Sequence, residues 1–435
     1  MKQLPVGFVV PSGRFNHDPF RVHPLTILYL MTIMEESFGD QLDLSLIDTR
    51  GIEEKSLLYH IPEKSLFLYS PCTLDYNETV SLVKSLRMIY PMALHVAGGV
   101  HVTLFPDECA EVFDAVAIGD GESSIQQIIR DIFSGNLKKF YRHARSTDFN
   151  THSFPSRKWL PKQAVATTGI LNKEFSGLKA TSILLSRGCP FTCHFCANLE
   201  SGKILSRSPE QIEQEIDYLK REYQVEGLAL KDDNAIPLGK SMARPFLEAI
   251  GRTNVKWRGQ SRAMGVLPEI AQLAKDAGCV EVAIGMESVS EKALSIVNKK
   301  IKLPKVREYL SHLKKIGIGI RLHLIMGLPG ESKDIAIKTR EFVDEMELNS
   351  VFLSLLTPVP GSELFNNPER FGMRITSRNW DDYRNLFSGF DVNERPKMIF
   401  EYQQNTPWGK PLSNDEIIDN FLYLTSYFSE RNLKF

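Results

Sequence analysis

The chain has 435 residues, and its hydrophobic fraction of 43% excludes an intrinsically disordered protein. Its 52 Lys and Arg residues balance 53 Asp and Glu residues, and the resulting net charge of −1 argues against a nucleic-acid partner held by overall basic charge. No uncharged apolar run approaches the ~18 residues that span a bilayer, and the start lacks a signal peptide, so we expect a cytoplasmic protein without a membrane partner.

Residues 1–140 are predicted to form an α/β domain in which short apolar strands alternate with helices. The strands are predicted at Pro5–Val10, Asp43–Ile47, Leu66–Ser70, Ala93–Ala97 and Ala115–Ile118. Helical spacing is found at Leu25–Phe38, Thr79–Ile89 and Ser124–Phe133. Nearly continuous apolar strands separated by helices are typical of a parallel sheet that is covered on both faces. We therefore predict a Rossmann-like, doubly wound sheet, with ligands at the carboxyl ends of the strands.

Residues 141–180 lose this alternation and are predicted to be a linker. The alternation resumes over residues 181–361, where six strands are predicted. They lie at Ser182–Ser186, Gly227–Lys231, Val255–Gln260, Val280–Ile284, Gly319–Ile325 and Val351–Leu356. Six βα units in ~180 residues predict a partial (β/α)6 TIM-type barrel, whose chemistry lies at the carboxyl ends of its strands.

Helix signals support this division. Ser208 is predicted as the N-cap of the first barrel helix, with Pro209 as its first residue and Gln211 as the partner in a capping box. Residues 362–435 form a C-terminal extension that we predict to be mainly helical, with an amphipathic helix near Asp415–Ser429.

Three of the six cysteines lie in one loop after the first predicted barrel strand. Cys189, Cys193 and Cys196 have the spacing C-x3-C-x2-C. A closed structural zinc site uses four ligands, whereas three thiolates on a [4Fe–4S] cluster leave one iron open to a further ligand. The alternative is a zinc site completed by His152 or His323. The remaining cysteines are isolated and are predicted to be buried as small hydrophobic side chains: Cys72, Cys109 and Cys279.

This loop, with Phe195 before its last cysteine and its place on the first of six barrel strands, resembles the radical SAM enzymes over about residues 181–360. The resemblance implies that S-adenosylmethionine (SAM) chelates the open iron through its amino and carboxylate groups. It further implies that one electron from the cluster cleaves a C–S bond of SAM and that the 5′-deoxyadenosyl radical abstracts a hydrogen atom. An electron donor such as flavodoxin or ferredoxin is therefore expected as a partner.

The turns that end the later barrel strands match the family in order. The resemblance implies that SAM is bound by Phe195, Asp233, Arg262, Glu287 and Gly327. Asp233 is matched to the amino group, Arg262 to the carboxylate and Gly327 to the adenine. Glu287 is matched to the ribose hydroxyls or to a barrel arginine. Each has an ordinary alternative, such as a helix N-cap for an acid after a strand or a surface position for an arginine. No catalytic residue is indicated.

The first domain resembles the cobalamin-binding domain that precedes many radical SAM barrels. The motifs are Gly98-Gly99-Val100-His101 and Gly119-Asp120-Gly121-Glu122, and glycine at a strand end lets backbone approach a large ligand. The cobalamin contacts implied are Gly98, Gly99, His101, Gly119 and Gly121. The DxHxxG motif that places histidine on cobalt is absent from the loop Pro11–Asp18, which contains His17. The alternative is a Rossmann-like cap that binds no cobalamin.

These resemblances imply a cobalamin-dependent radical SAM enzyme that methylates an unactivated carbon of a small molecule or peptide. A second hypothesis is a radical SAM enzyme that cyclises, rearranges or oxidises its substrate, and a third is a metal-stabilised binding protein without turnover. Methylthiotransferases share the domain order, but they carry a second cysteine triplet, whereas the first domain here has only Cys72 and Cys109.

Overall fold

The computed structural model describes residues 3–13, 18–144, 148–197, 202, 204–386 and 395–433, with the side chains of residues 384–386 left out. His17 lies outside these ranges. The contacts between residues divide the chain into two compact units, Met1–Val165 and Ala166–Phe435. Within the described ranges, no helix combines the length and the apolar character that crossing a membrane requires.

The first unit is built on a six-stranded parallel sheet. Its strands are Leu4–Val10, Leu42–Asp48, Leu66–Tyr69, Leu94–Ala97, Ala115–Ile118 and Phe140–Arg142. Its helices are Leu25–Phe38, Tyr76–Ile89, Val100–Leu104, Pro106–Ala110 and Gly121–Phe133. The spatial order of the strands is 2-1-3-4-5-6, so the direction of winding reverses between the first and third strands. This order confirms the predicted doubly wound sheet and places its switch point at the end of the first strand.

The hydrophobic pattern explains these elements. The third strand is buried at every residue from Leu66 to Tyr69, as expected for a strand with helices on both faces. The helix Gly121–Phe133 buries Ile125, Ile128 and Ile129, which recur at helical spacing on one face.

The segment predicted to be a linker is divided between the two units. Phe140–Arg142 pairs with the fifth strand and extends the first sheet, which the sequence did not predict. Phe149, Leu160 and Val165 are buried within the first unit. A strand of three residues with only its middle residue buried gives almost no periodic signal, which explains why the pattern was missed.

The second unit contains a half-barrel of six parallel strands in chain order. These barrel strands are Ala180–Ile183, Gly227–Leu230, Lys256–Arg262, Cys279–Glu287, Gly319–Met326 and Val351–Leu355. The helices between them are Pro209–Tyr223, Lys240–Arg252, Pro268–Asp276, Glu291–Ile296, Leu303–Lys315 and Ile335–Glu345. The predicted fold class is confirmed. Ser208 caps the first of these helices as predicted, because its side chain accepts a hydrogen bond from the backbone N–H of Gln211.

One face of the barrel strands is charged. Glu281 pairs with Arg258 at 3.5 Å and with Arg321 at 2.8 Å, so three neighbouring strands present charged side chains to the same side. The residues that alternate with them are apolar and fully buried, for example Trp257 and Val282. Because side chains alternate across a strand, the apolar set packs under the helices and the charged set lines the inner face.

The C-terminal extension is helical at its end and packs on the barrel. A short antiparallel ladder joins Met373–Ile375 to Phe400–Tyr402. The helix Asn414–Glu430 follows, and Ser413 and Glu416 form a capping box at its start. Trp380 and Tyr383 are buried against one another, with ring centres 5.4 Å apart, so these aromatic residues pack the extension.

Candidate functional site

The end of the second barrel strand holds the end of the first. The carboxylate of Asp232 is buried and accepts hydrogen bonds from Ser186 Oγ at 2.6 Å and from the backbone N–H of Leu185 at 3.3 Å. Burial raises the pKa of Asp232 to about 7, although the hydrogen bonds oppose that shift. Asp232 therefore links the end of the second barrel strand to the end of the first, just before the cysteines.

The next two residues hold the start of the cysteine loop, which we define as residues 188–197. Asp233 Oδ2 accepts a hydrogen bond from the backbone N–H of Gly188 at 2.9 Å. Asn234 Nδ2 donates to the sulfur of Cys189 at 3.4 Å. The structure thus gives Asp233 a contact to the loop itself, and its contact with the SAM amino group stays a prediction.

The three thiols lie on one loop. Cys189 and Cys193 are partly buried, Cys196 is exposed, and the N–H of Cys196 donates to the carbonyl of Cys193 at 3.0 Å. Three soft thiolates on one loop are a donor set that fits a [4Fe–4S] cluster, in which each cysteine binds a different iron.

The two histidines of the zinc alternative contact other side chains. Within the described ranges, no three His, Cys, Asp or Glu side chains are gathered closely enough to hold a single metal ion. His152 lies 3.6 Å from Glu36, and the ring of His323 packs 4.9 Å from that of Phe352. Burial lowers the pKa of His323 to about 4, so the side chain is neutral on the inner barrel face.

Residues 296–300, in the fourth βα unit, also hold the cysteine loop. The N–H of His194 donates to the carbonyl of Val297 at 2.9 Å. Asn298 Nδ2 donates to both the carbonyl and the hydroxyl oxygen of Thr192 at 2.9 Å. His194 therefore serves to hold the loop.

The side chain of Arg262 packs against the cysteine loop. Its guanidinium carbon lies 3.4 Å from the centre of the Phe191 ring, and its Nη2 donates to the carbonyl of Lys300 at 3.0 Å. The side chain is buried, so the alternative of a surface arginine is wrong. A planar cation stacked on a ring of the cysteine loop has the charge that a carboxylate ligand requires.

Glu287 forms a buried ion pair with a lysine that sequence reasoning missed. Lys299 Nζ lies 2.8 Å from Glu287 Oε1, and the two side chains are 8% and 10% exposed. The same ammonium lies 5.7 Å from the centre of the Phe195 ring in the cysteine loop. A Cβ at Gly285 would lie 2.6 Å from Glu287 Oε1, so glycine leaves the room that this carboxylate occupies. The pair joins the fourth strand end to the loop.

Breaking this pair is expected to be costly for the fold. Lys299→Met leaves the Glu287 carboxylate buried without its partner, and such losses cost about 3–5 kcal/mol. We expect the free energy of unfolding in urea to fall by that amount, and SAM cleavage to weaken because Glu287 loses its orientation. The double variant Lys299→Met/Glu287→Gln is expected to recover more than half of the lost stability.

The control is Lys305→Met, since Lys305 and Glu308 form a pair at 2.7 Å with side chains 60% and 64% exposed. Exposed pairs contribute little, so this variant is expected to match the wild type within about 0.5 kcal/mol. Additive effects of the Lys299 and Glu287 changes would show that the buried pair does not act as a unit.

The turn after the fifth strand lies beneath the C-terminal extension. Gly327 has a φ of +99°, and a Cβ there would lie 2.8 Å from a methyl of Ile417. Its carbonyl accepts a hydrogen bond from the Tyr402 hydroxyl at 2.9 Å, and its N–H donates to Glu331 at the same distance. The close approach at Gly327 is thus made by the extension, and the predicted adenine contact stays a prediction.

Glu331 gives the unit a pH-dependent stability. Burial raises its pKa to about 7, whereas the ordinary value is 4.5, although Ser288 and the N–H groups of Gly327 and Leu328 donate to it. The folded state therefore holds a proton that the unfolded chain loses between about pH 4.5 and 7, and the free energy of unfolding falls as the pH rises through this window. Glu331→Gln is expected to remove this component.

Urea unfolding at pH 5 and pH 8 tests this expectation. The wild type is expected to lose more stability than Glu331→Gln between the two values, while the exposed variant Glu308→Gln behaves as the wild type. Equal losses in wild type and Glu331→Gln would contradict it.

The carboxyl edge of the first sheet carries the predicted glycine turns. Gly99 has a φ of +91°, and a Cβ there would lie 2.7 Å from Ser70 Oγ, at the end of the neighbouring strand. Gly121 begins the helix Gly121–Phe133, and a Cβ on it would lie 3.1 Å from Leu30. The close approaches at Gly99 and Gly121 are thus made by Ser70 and Leu30 of the same unit, and the cobalamin contacts predicted for Gly98, Gly99, Gly119 and Gly121 stay predictions.

The side chain of His101 is not accessible to a ligand at this edge of the sheet. It is fully buried, its ring centre lies 4.0 Å from that of Tyr76, and its Nδ1 lies 3.2 Å from Thr73 Oγ1. Burial lowers its pKa to about 4, which keeps the ring neutral. In this structure His101 therefore packs the domain, and the predicted contact with cobalamin has no support from the geometry.

Comparisons with known proteins identify the class. Residues 183–343 match the Radical SAM superfamily. Bacteriochlorophyllide d C-12(1)-methyltransferase of Chlorobaculum tepidum is 27% identical over 75% of this chain and 67% of its own. An anaerobic magnesium-protoporphyrin IX monomethyl ester cyclase of Cereibacter sphaeroides is 25% identical over 64% of this chain and 48% of its own.

A solved structure shares the fold of both units. The radical SAM methyltransferase TsrM of Kitasatospora setae, with cobalamin and a [4Fe–4S] cluster bound, superposes with a TM-score of 0.68 at 15% identity, covering 94% of this chain and 85% of its own. Together with the family match, this likeness confirms the resemblance seen in the sequence. Residues 183–343 are thus a radical SAM domain, and the chain shares its fold with this methyltransferase.

Proposed function

We propose that this enzyme cleaves SAM at a [4Fe–4S] cluster on Cys189, Cys193 and Cys196 and uses cobalamin to methylate an unactivated carbon of a small molecule or peptide. The observation that carries the proposal is the donor set of three thiols on one loop, in a chain that also has a switch-point sheet with glycine turns at its carboxyl edge. Relatives named as methyltransferases support it.

The residues of the chain have separate tasks in this proposal. The cluster, when bound, supplies the electron that cleaves SAM. Arg262 and the Glu287–Lys299 pair lie against the cysteine loop and provide opposite charges for the carboxylate and the hydroxyls of SAM. Gly98, Gly99, Gly119 and Gly121 would offer bare backbone to the corrin, and we expect cobalt to have no histidine ligand from the chain. A reductant such as flavodoxin or ferredoxin delivers the electron.

A second candidate keeps SAM cleavage and replaces methylation by cyclisation or oxidation. The relative named as a cyclase favours it, and in that case the first unit serves as a cap with or without cobalamin. The two candidates share the cluster and the SAM site, so only the fate of the methyl group and the binding of cobalamin distinguish them.

The test uses the full chain, reconstituted with iron and sulfide under anaerobic conditions, and needs no substrate. With methyl-labelled SAM, a strong reductant and added cobalamin, we expect 5′-deoxyadenosine to form and label to reach cobalamin. Gly135→Val, which alters a surface turn of the first unit, serves as a control and is expected to behave as the wild type. Its Cβ would have no atom within 4 Å.

Each outcome of this test favours one of the candidate functions. Formation of 5′-deoxyadenosine without cobalamin binding at micromolar concentration favours the cyclising or oxidising enzyme. Absence of 5′-deoxyadenosine with full iron content favours a binding protein without turnover. Stoichiometric zinc with no iron would remove the basis of the proposal.

A further inference from the structure

Asn234 contacts a ligand sulfur directly, and nothing in the SAM chemistry above uses it. Its Nδ2 donates to Cys189 Sγ at 3.4 Å, a normal length for a hydrogen bond to sulfur. The preceding residue, Asp233, holds the N–H of Gly188, and Asp232 holds Ser186 and Leu185. Three consecutive residues of one turn thus hold the chain that leads into Cys189, and the last of them reaches the sulfur.

The other side-chain contacts to the loop described above do not reach a sulfur. Asn298 reaches the two oxygens of Thr192, and Arg262 stacks on Phe191. Among the residues that the structure describes, no side chain donates a hydrogen bond to the sulfur of Cys193 or Cys196. One substitution at Asn234 therefore isolates the effect of a donor on the cluster.

We propose that Asn234 is a positioning residue that raises the reduction potential of the cluster through its hydrogen bond to Cys189. The inference rests on the proposed function, since it requires the cluster. When the cluster gains an electron, negative charge on its thiolate ligands increases, and a hydrogen bond to a ligand sulfur stabilises that charge. Removal of the donor lowers the reduction potential of the cluster. A stronger reductant is then needed to reach the reduced state that cleaves SAM.

The expected shift follows from the strength of a hydrogen bond to a charged acceptor. Loss of the bond is expected to change the equilibrium constant for one-electron reduction about tenfold, which equals about 59 mV towards lower potential. Asn234→Leu removes the donor at nearly constant size. Asn234→Asp also adds a negative charge beside the thiolate and is expected to lower the potential further.

The experiment is a redox titration of the reconstituted full chain, monitored by electron paramagnetic resonance without SAM or cobalamin. Asn298→Leu is the matched control, because it removes an asparagine that holds the same loop without touching sulfur. We expect the potential to fall in the order wild type, Asn234→Leu, Asn234→Asp, with Asn298→Leu at the wild-type value.

An unchanged potential in Asn234→Leu with full iron content, or an equal shift in Asn298→Leu, overturns the proposal. If Asn234→Leu retains too little iron, Asn234→Ser and Asn234→Ala are compared instead, because both residues are small and neutral and only serine keeps a donor. A higher potential in Asn234→Ser than in Asn234→Ala supports the hydrogen bond, and equal potentials overturn the proposal. If the wild type assembles no cluster, the proposed function itself has failed, which is a distinct result.

Discussion

Replacing any one of Cys189, Cys193 and Cys196 by Ala is expected to abolish cluster assembly and SAM cleavage together. The wild type is expected to hold about four iron and four sulfide ions per chain after reconstitution. With two thiolates the cluster loses one of its three protein ligands, and iron content and visible charge-transfer absorbance are expected to fall to near zero. Iron and sulfide analysis with assay of 5′-deoxyadenosine measures both effects.

Cys72 provides the matched control. It is partly buried in the first unit, where its thiol donates to Asp75 at 3.3 Å. Cys72→Ala is therefore expected to leave iron content and SAM cleavage at the wild-type level. Full iron content in any one of the three loop variants would show that the cluster has another ligand set.

Gly99→Val is expected to spare SAM cleavage and end methyl transfer. A valine would have to adopt a φ of +91° and place its Cβ 2.7 Å from Ser70 Oγ, so the turn and the neighbouring strand end must both move. Such strain costs on the order of 3 kcal/mol, which corresponds to about a 100-fold loss of affinity for a ligand that needs this backbone. Equilibrium binding of cobalamin and assay of 5′-deoxyadenosine measure the two effects separately.

Gly135→Val separates this effect from general strain. Gly135 lies in the same unit with a φ of +70°, but a Cβ there meets no atom within 4 Å. Both variants carry the backbone penalty, and only Gly99→Val alters the sheet edge. If Gly99→Val bound cobalamin and transferred methyl groups as Gly135→Val does, the assignment of a cobalamin site to this edge would be wrong.

The sequence predicted the fold well where periodicity is strong. All six barrel strands were located within a few residues of their observed positions. The strand Phe140–Arg142 was missed because three residues carry no period. Its position is decided by pairing with Ala115–Ile118, which is a tertiary interaction that local pattern does not contain.

The site was predictable to the extent that it is local in sequence. The cysteine spacing is read from eight consecutive residues, whereas the role of Lys299 depends on its contact with Glu287, twelve positions earlier and on another element. Asn234 follows the predicted site residue Asp233 and Glu331 lies four residues after Gly327, but only the structure shows their hydrogen bonds. His101 illustrates the reverse case, because a histidine in a promising motif turned out to be buried between aromatic rings.

The attachments of the cysteine loop also bear on how the enzyme survives oxygen. Gly188, Cys189, Thr192 and His194 are each held by hydrogen bonds to the second or fourth βα unit, and none of these contacts requires iron. Much of the conformational entropy of the loop is therefore lost when the protein folds rather than when metal binds. When the cluster is damaged, the cysteine loop stays ordered. Repair then requires fresh iron and sulfide, and the chain does not have to refold.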